Sequence, residues 1–182
     1  SIRPRKQTVP QFPTDRTLRA MFGCLLVTGG LCHAQLIAEN PDWRDGAEAT
    51  PPAFDVTRLV PIDTPTGSTL RFGVDPQTLS ITPDGVVRYV IVARHSSGAQ
   101  NVAYEGIRCA TGSFRVYARH DPIRGWQRVD DSVWAPLQGN GAARHALNFA
   151  RAGGCEGRTV PSQTATIVRA LLHPPRTGGD GL

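Results

Sequence analysis

The chain has 182 residues, 40% of them hydrophobic, and a formal net charge of +5. Residues 1–34 hold five basic residues (Arg3, Arg5, Lys6, Arg16 and Arg19) against one acid, so residues 35–182 keep 15 Arg and 14 Asp+Glu, a net +1. Those arginines are spread along separate segments rather than clustered, which argues against nucleic-acid binding; Lys6 is the only lysine, which excludes Schiff-base and P-loop chemistry from residues 35–182.

Residues 1–34 read as a cleaved signal peptide. A basic n-region precedes the mostly apolar run 21–32, and Cys32-His-Ala34 places small residues at the minus-three and minus-one positions before Gln35. Cleavage is expected at Ala34/Gln35, and the periplasm is the expected location. The run is shorter than the about 20 apolar residues a membrane helix needs, so no stable membrane span is expected after cleavage. Cys24 and Cys32 leave with the signal, and Cys109 and Cys155 remain. An even pair in an exported chain reads as a disulfide, with two free buried thiols as the alternative. Closing that loop restricts the unfolded chain by roughly 4 kcal/mol on the chain-entropy model. Neither cysteine has a histidine or second cysteine two to four residues away, so no metal site is expected.

Residues 35–67 are rich in proline and acid and poor in apolar residues, and they read as an extended arm, part of it packing through Phe54 and Leu59-Val60. From Leu70 short strands alternate with turn signals. Leu70–Val74 and Thr78–Ile81 are extended pieces around Asp75-Pro76, and Thr82-Pro-Asp-Gly85 is a turn. Val86–His95 is apolar on both faces except Arg88 and Arg94, as a central strand would be. Asn101–Cys109 follows, then Thr111-Gly112 turns into Ser113–His120, where one dry face alternates with one wet face. Asp121-Pro-Ile-Arg-Gly125 leads into Trp126–Asp130. Consecutive strands joined by tight turns run antiparallel, giving a meander of about five strands. Residues 142–151 are expected to form a helix ended by Gly153-Gly154, and Ser162 to cap a second helix reaching Leu172, with Ala165, Val168 and Leu172 along one stripe. Strands first and helices after predict an α+β domain over residues 68–173, both helices packed on one sheet face. Residues 174–182 are expected to be disordered.

Val74-Asp-Pro-Gln-Thr-Leu-Ser80, Asp84-Gly-Val-Val-Arg-Tyr89 and above all Tyr104-Glu-Gly-Ile-Arg-Cys109 resemble the cryptic neisserial protein 1-like family. The likeness covers about residues 55–172. It implies an exported proteobacterial protein of uncharacterised activity and no particular substrate.

No Gly-x-Ser-x-Gly elbow, His-Glu-x-x-His helix or P-loop is present, so no catalytic residue, metal or cofactor is assigned. His95, His120, His145 and His173 are scattered singly. The best constellation is Tyr104, Glu105 and Arg108 on one strand with Arg88 and Tyr89 on its neighbour. Alternation puts Tyr104 and Arg108 on one side and Glu105, Ile107 and Cys109 on the other. A core-facing Glu105 needs a partner, and Arg88 or another meander arginine is the natural one. The functional reading adds Trp126 and Trp134 to make a pocket for a small anionic or sugar-like envelope component. These features favour a non-catalytic binding or interaction domain whose partner is an envelope component or protein. The alternative is an envelope hydrolase using Glu105 or Asp130/Asp131 as acid/base. A cavity holding at least two acids, or an acid and a histidine within reach, favours the hydrolase; a filled, helix-covered sheet with Glu105 paired to arginine favours the binding domain.

Overall fold

The computed structural model describes residues 42–46, 50–64, 67–138 and 141–174. The expected signal peptide lies outside the described residues, as does the C-terminal tail from residue 175.

One antiparallel sheet of eight strands, not five, forms the body of the domain. The strands are β1 (Val60–Ile62), β2 (Leu70–Val74), β3 (Ser80–Ile81), β4 (Val86–His95), β5 (Gln100–Arg108), β6 (Ser113–Asp121), β7 (Gly125–Arg128) and β8 (Ala135–Pro136). They lie in the order β1-β2-β4-β5-β6-β7, with β3 beside β4 and β8 beside β6. β2 and β3 line the same edge of β4, interrupted by a 3-10 turn at Pro76–Thr78. Proline has no N–H to give to a ladder, so the break falls there. β1 and β8 span three and two residues, too short to leave a periodic signal in a sequence.

The helices α1 (Arg144–Phe149) and α2 (Thr164–Leu172) pack on one face, as the strands-then-helices pattern predicts. Tyr89, Ile91, Ala103, Ile107 and Phe114 of the sheet meet Ala146, Phe149, Ile167 and Leu171 there. α1 is shorter than residues 142–151 because a 3-10 turn precedes it and a π turn, Ala150–Gly154, follows it. Gly153 takes φ 122°, and a Cβ there would collide with Ala170 of α2. The cap of α2 is Gln163, with no side-chain capping bond, so Ser162 does not cap it. Its buried stripe is Ile167 and Leu171, while Leu172 is 55% exposed. Tertiary docking rotated the helix away from the stripe its composition suggested.

Cys109 and Cys155 form a disulfide with a Cα–Cα distance of 5.7 Å, tying the end of β5 to the segment after the π turn. The opposite sheet face carries a second cluster, in which Val90, Val92, Val102, Tyr104, Tyr117 and Ala118 pack against Phe54, Val56, Leu59, Trp126 and Trp134. β4 is therefore buried on both sides over its first eight residues, as its doubly apolar sequence requires.

Arm residues are fastened by one fully buried acid. Asp75 accepts from Asp55 N at 2.8 Å, Gln77 N at 3.1 Å and Arg58 Nη2 at 2.8 Å. Burial alone would raise the pKa of Asp75, but the Arg58 guanidinium and the two backbone N–H groups outweigh it and hold the carboxyl below its ordinary value.

Candidate functional site

Strand alternation and the β4–β5 register divide the predicted constellation between the two faces. Glu105 lies opposite Tyr89, and Arg88 lies opposite Gly106, one residue along and on the other side. Arg88 is therefore not the partner of Glu105, and the expected Glu–Arg pair does not form. Tyr104, Arg88, Arg108, Trp126 and Trp134 belong to the face packed by the arm; Glu105 faces α1.

On the helix face Glu105 is 3% exposed. The Tyr89 hydroxyl donates to its Oε2 at 3.0 Å, and His145 Nε2 of α1 lies 3.0 Å from both carboxylate oxygens. The His145 ring stacks on Phe72 at 5.3 Å and meets the edge of Phe114 at 6.0 Å. Burial, with Glu105 adding to it, pushes the Tyr89 hydroxyl pKa well above its ordinary value, so Tyr89 remains a donor. In the sequence His145 is one of four singly scattered histidines between residues 35 and 182. It is 40 residues from Glu105 in the chain, and no local pattern joins the two.

Glu105, His145, Phe72 and Phe114 stand at the wall of a cavity of about 510 Å³. Leu70 and Phe72 of β2, Ile91 and Ala93 of β4, Ala103 of β5 and Val116 of β6 make it mostly apolar. Asn101, Arg119 and Arg144 supply polar groups, and all three are exposed. That size and lining match sites for small molecules, which combine apolar walls with a few placed polar groups.

The acid and the histidine are thus within reach of each other, but reach is not availability. Both oxygens of Glu105 are engaged and nearly excluded from solvent, so the carboxylate serves to dock α1 on the sheet. Ser68, the hydroxyl residue among the described cavity residues, accepts from Leu70 N at 3.0 Å. Asp130 and Asp131 are both exposed in the loop after β7 and line neither described cavity. Among the described residues no group of three or more His, Cys, Asp or Glu is placed to hold a metal ion.

On the other face a β-bulge between Tyr104 and Glu105 gives β6 an extra residue, Tyr117. Bulges re-aim side chains in this way. Tyr117 and Arg115 converge with Arg88 on a carboxylate that strand patterns did not reveal, that of Asp45. Arg115 Nη1 donates to it at 2.9 Å, Arg88 Nη2 at 3.4 Å and the Tyr117 hydroxyl to both oxygens at 3.2 Å. Burial and then Asp45 push the Tyr117 pKa up. Burial works against the charge of Arg88, but Tyr117, Tyr104 and Asp45 reverse that and raise its pKa.

Among the described residues no helix is long and apolar enough to cross a membrane. No solved structure matches the chain. It is similar to cryptic neisserial protein 1 of Neisseria gonorrhoeae (strain ATCC 700825 / FA 1090), 29% identical over 125 residues, and that stretch covers 60% of each chain. The model of the CNP1-like family fits residues 38–172, a span that includes all eight strands, both helices and the two bonded cysteines. The chain belongs to the CNP1-like family.

Proposed function

We propose that this is an exported, non-catalytic binding domain of the cell envelope whose helix-side cavity takes a small, mostly apolar molecule bearing one acidic group. The observation that carries this reading is the cavity of about 510 Å³ between strands β2, β4, β5 and β6 and α1, apolar in its walls and edged by Arg119 and Arg144. Its one carboxylate among the described residues, Glu105, is buried and already paired with Tyr89 and His145, so a ligand's charge is better met by the two exposed guanidinium groups. Export is supported by the signal-like residues 1–34 and by the Cys109–Cys155 disulfide, since disulfides persist in oxidising compartments.

The test is a titration of the full chain with octanoate, with octanol as the uncharged counterpart, followed by NMR chemical shifts of residues around the cavity. Saturable octanoate binding is expected, tighter than octanol binding and about tenfold weaker in Arg119→Gln/Arg144→Gln. Failure of both probes to shift Ala93, Ala103 and Val116 would overturn the assignment of the cavity. For export, the mass of the envelope-fraction protein should correspond to a chain beginning at Gln35; an intact N-terminus there would refute the processing.

A further inference from the structure

The arm-covered face shows a different kind of recognition, independent of the cavity. Residues 43–46 belong to neither a helix nor a strand, and they are held by contacts to residues far along the chain. Trp43 lies under the Arg108 guanidinium at 3.8 Å, and its ring meets the edge of Trp134 at 5.7 Å. Trp43 Nε1 donates to the Asp84 carbonyl at 2.7 Å. Asp45 fills the Arg88–Arg115–Tyr117 cluster, and Gly46 N donates to Asp84 Oδ2 at 2.9 Å. The hydrogen-bond partners of the 43–46 anchors are 38 to 72 positions away. Arg44, between the two anchors, is exposed. The surface reads an aromatic ring, skips one residue, reads a carboxylate and then clamps a glycine N–H.

We propose that this surface is a peptide-recognition site for the sequence aromatic-x-acid-Gly, occupied in cis by Trp43–Gly46 and able to exchange that segment for an acidic peptide of the same pattern. Exchange rather than vacancy is the physically accessible step. Arg88 and Tyr117 are each 3% exposed and both bond Asp45, and removing a bonded carboxylate from buried groups is far costlier than swapping it for another. Stacking of arginine on an indole and charge-assisted bonds to a carboxylate are available to any chain that presents those groups. A second observation points to an outside occupant. Among the described residues Arg115 Nε and Trp134 Nε1 are buried with no hydrogen-bond partner; Arg115 bonds Asp45 through Nη1 and Trp134 packs on Trp43, so the cis segment leaves two donors beside it unmet. A peptide with glutamate at the acid position reaches further and supplies the missing acceptor.

The experiment uses the full chain and an acetylated, amidated peptide of residues 41–47 (Pro-Asp-Trp-Arg-Asp-Gly-Ala), with binding measured by calorimetry. Trp43→Ala/Asp45→Asn removes the cis anchors and is expected to bind the peptide at least tenfold more tightly than the unaltered chain. Adding Arg115→Gln, or replacing the peptide's second aspartate by asparagine, should weaken that binding at least tenfold, and glutamate there should bind at least as well. A folded double variant that binds no more tightly than the unaltered chain would overturn the proposal. Should the double variant not fold, the indole N–H resonance of Trp43 in the unaltered chain provides the readout. It should shift on titration with the peptide and not with a scrambled one; an unmoved resonance under excess peptide counts equally against exchange.

Discussion

Tyr89 and Glu105 are cross-strand partners on the helix-covered face, and the fully buried Tyr89 hydroxyl donates to Glu105 Oε2 at 3.0 Å. The same carboxylate meets His145 of α1, so one side chain fixes strand pairing and helix docking together. Such an acid is stabilising only while all its partners stay in place.

Glu105→Ala should therefore destabilise the domain by about 3 kcal/mol, because it strands the Tyr89 hydroxyl and opens a void beneath α1. The measurement is urea denaturation at pH 7. Glu105→Gln should cost less, since an amide oxygen can still accept from Tyr89. Loss of an activity at unchanged stability would reverse the structural assignment of this residue.

Asp75 makes stability depend on acid. Its folded pKa lies below its ordinary value of 3.8, so its contribution is complete above that value and fades as pH falls through the folded pKa. Asp75→Asn is expected to lower stability by about 2 kcal/mol at pH 7, where the buried carboxylate bonds are formed. It should also flatten the loss of stability below pH 4. Denaturation midpoints of both proteins from pH 7 to pH 2 provide the check, and parallel curves would contradict the role given to this carboxylate.

Gly106 is required by its neighbours. A Cβ there would fall 2.7 Å from Tyr117 Cε2 and 2.9 Å from Val86 Cγ1, so Gly106→Ala must displace the Tyr117 ring from the Asp45 cluster. A cost of about 1–3 kcal/mol is expected from the overpacking, read as a lowered denaturation midpoint. An unchanged midpoint would mean that the ring has room to yield.

Much of the sheet was legible because period-two alternation reports which side chains share a face. It separated Tyr104 and Arg108 from Glu105 and marked β4 as buried on both sides. Pairing across faces was not legible. Arg88 looked like the partner of Glu105 because it is a charge on the neighbouring strand. The observed register sets Arg88 opposite Gly106 instead, and a one-residue offset turns a side chain to the other face. The short strands β1 and β8 carried no pattern of their own and exist because longer neighbours offered them an edge.

Composition, charge and alternation, acting locally, dictated the antiparallel strands, the pair of cysteines and the family likeness. The meeting of His145 with Glu105 and of Asp45 with Arg88, Arg115 and Tyr117 was decided by the folded chain alone. Those contacts span 40 to 72 positions, and which groups meet over such distances depends on register, a bulge and helix rotation, quantities that only packing in three dimensions sets.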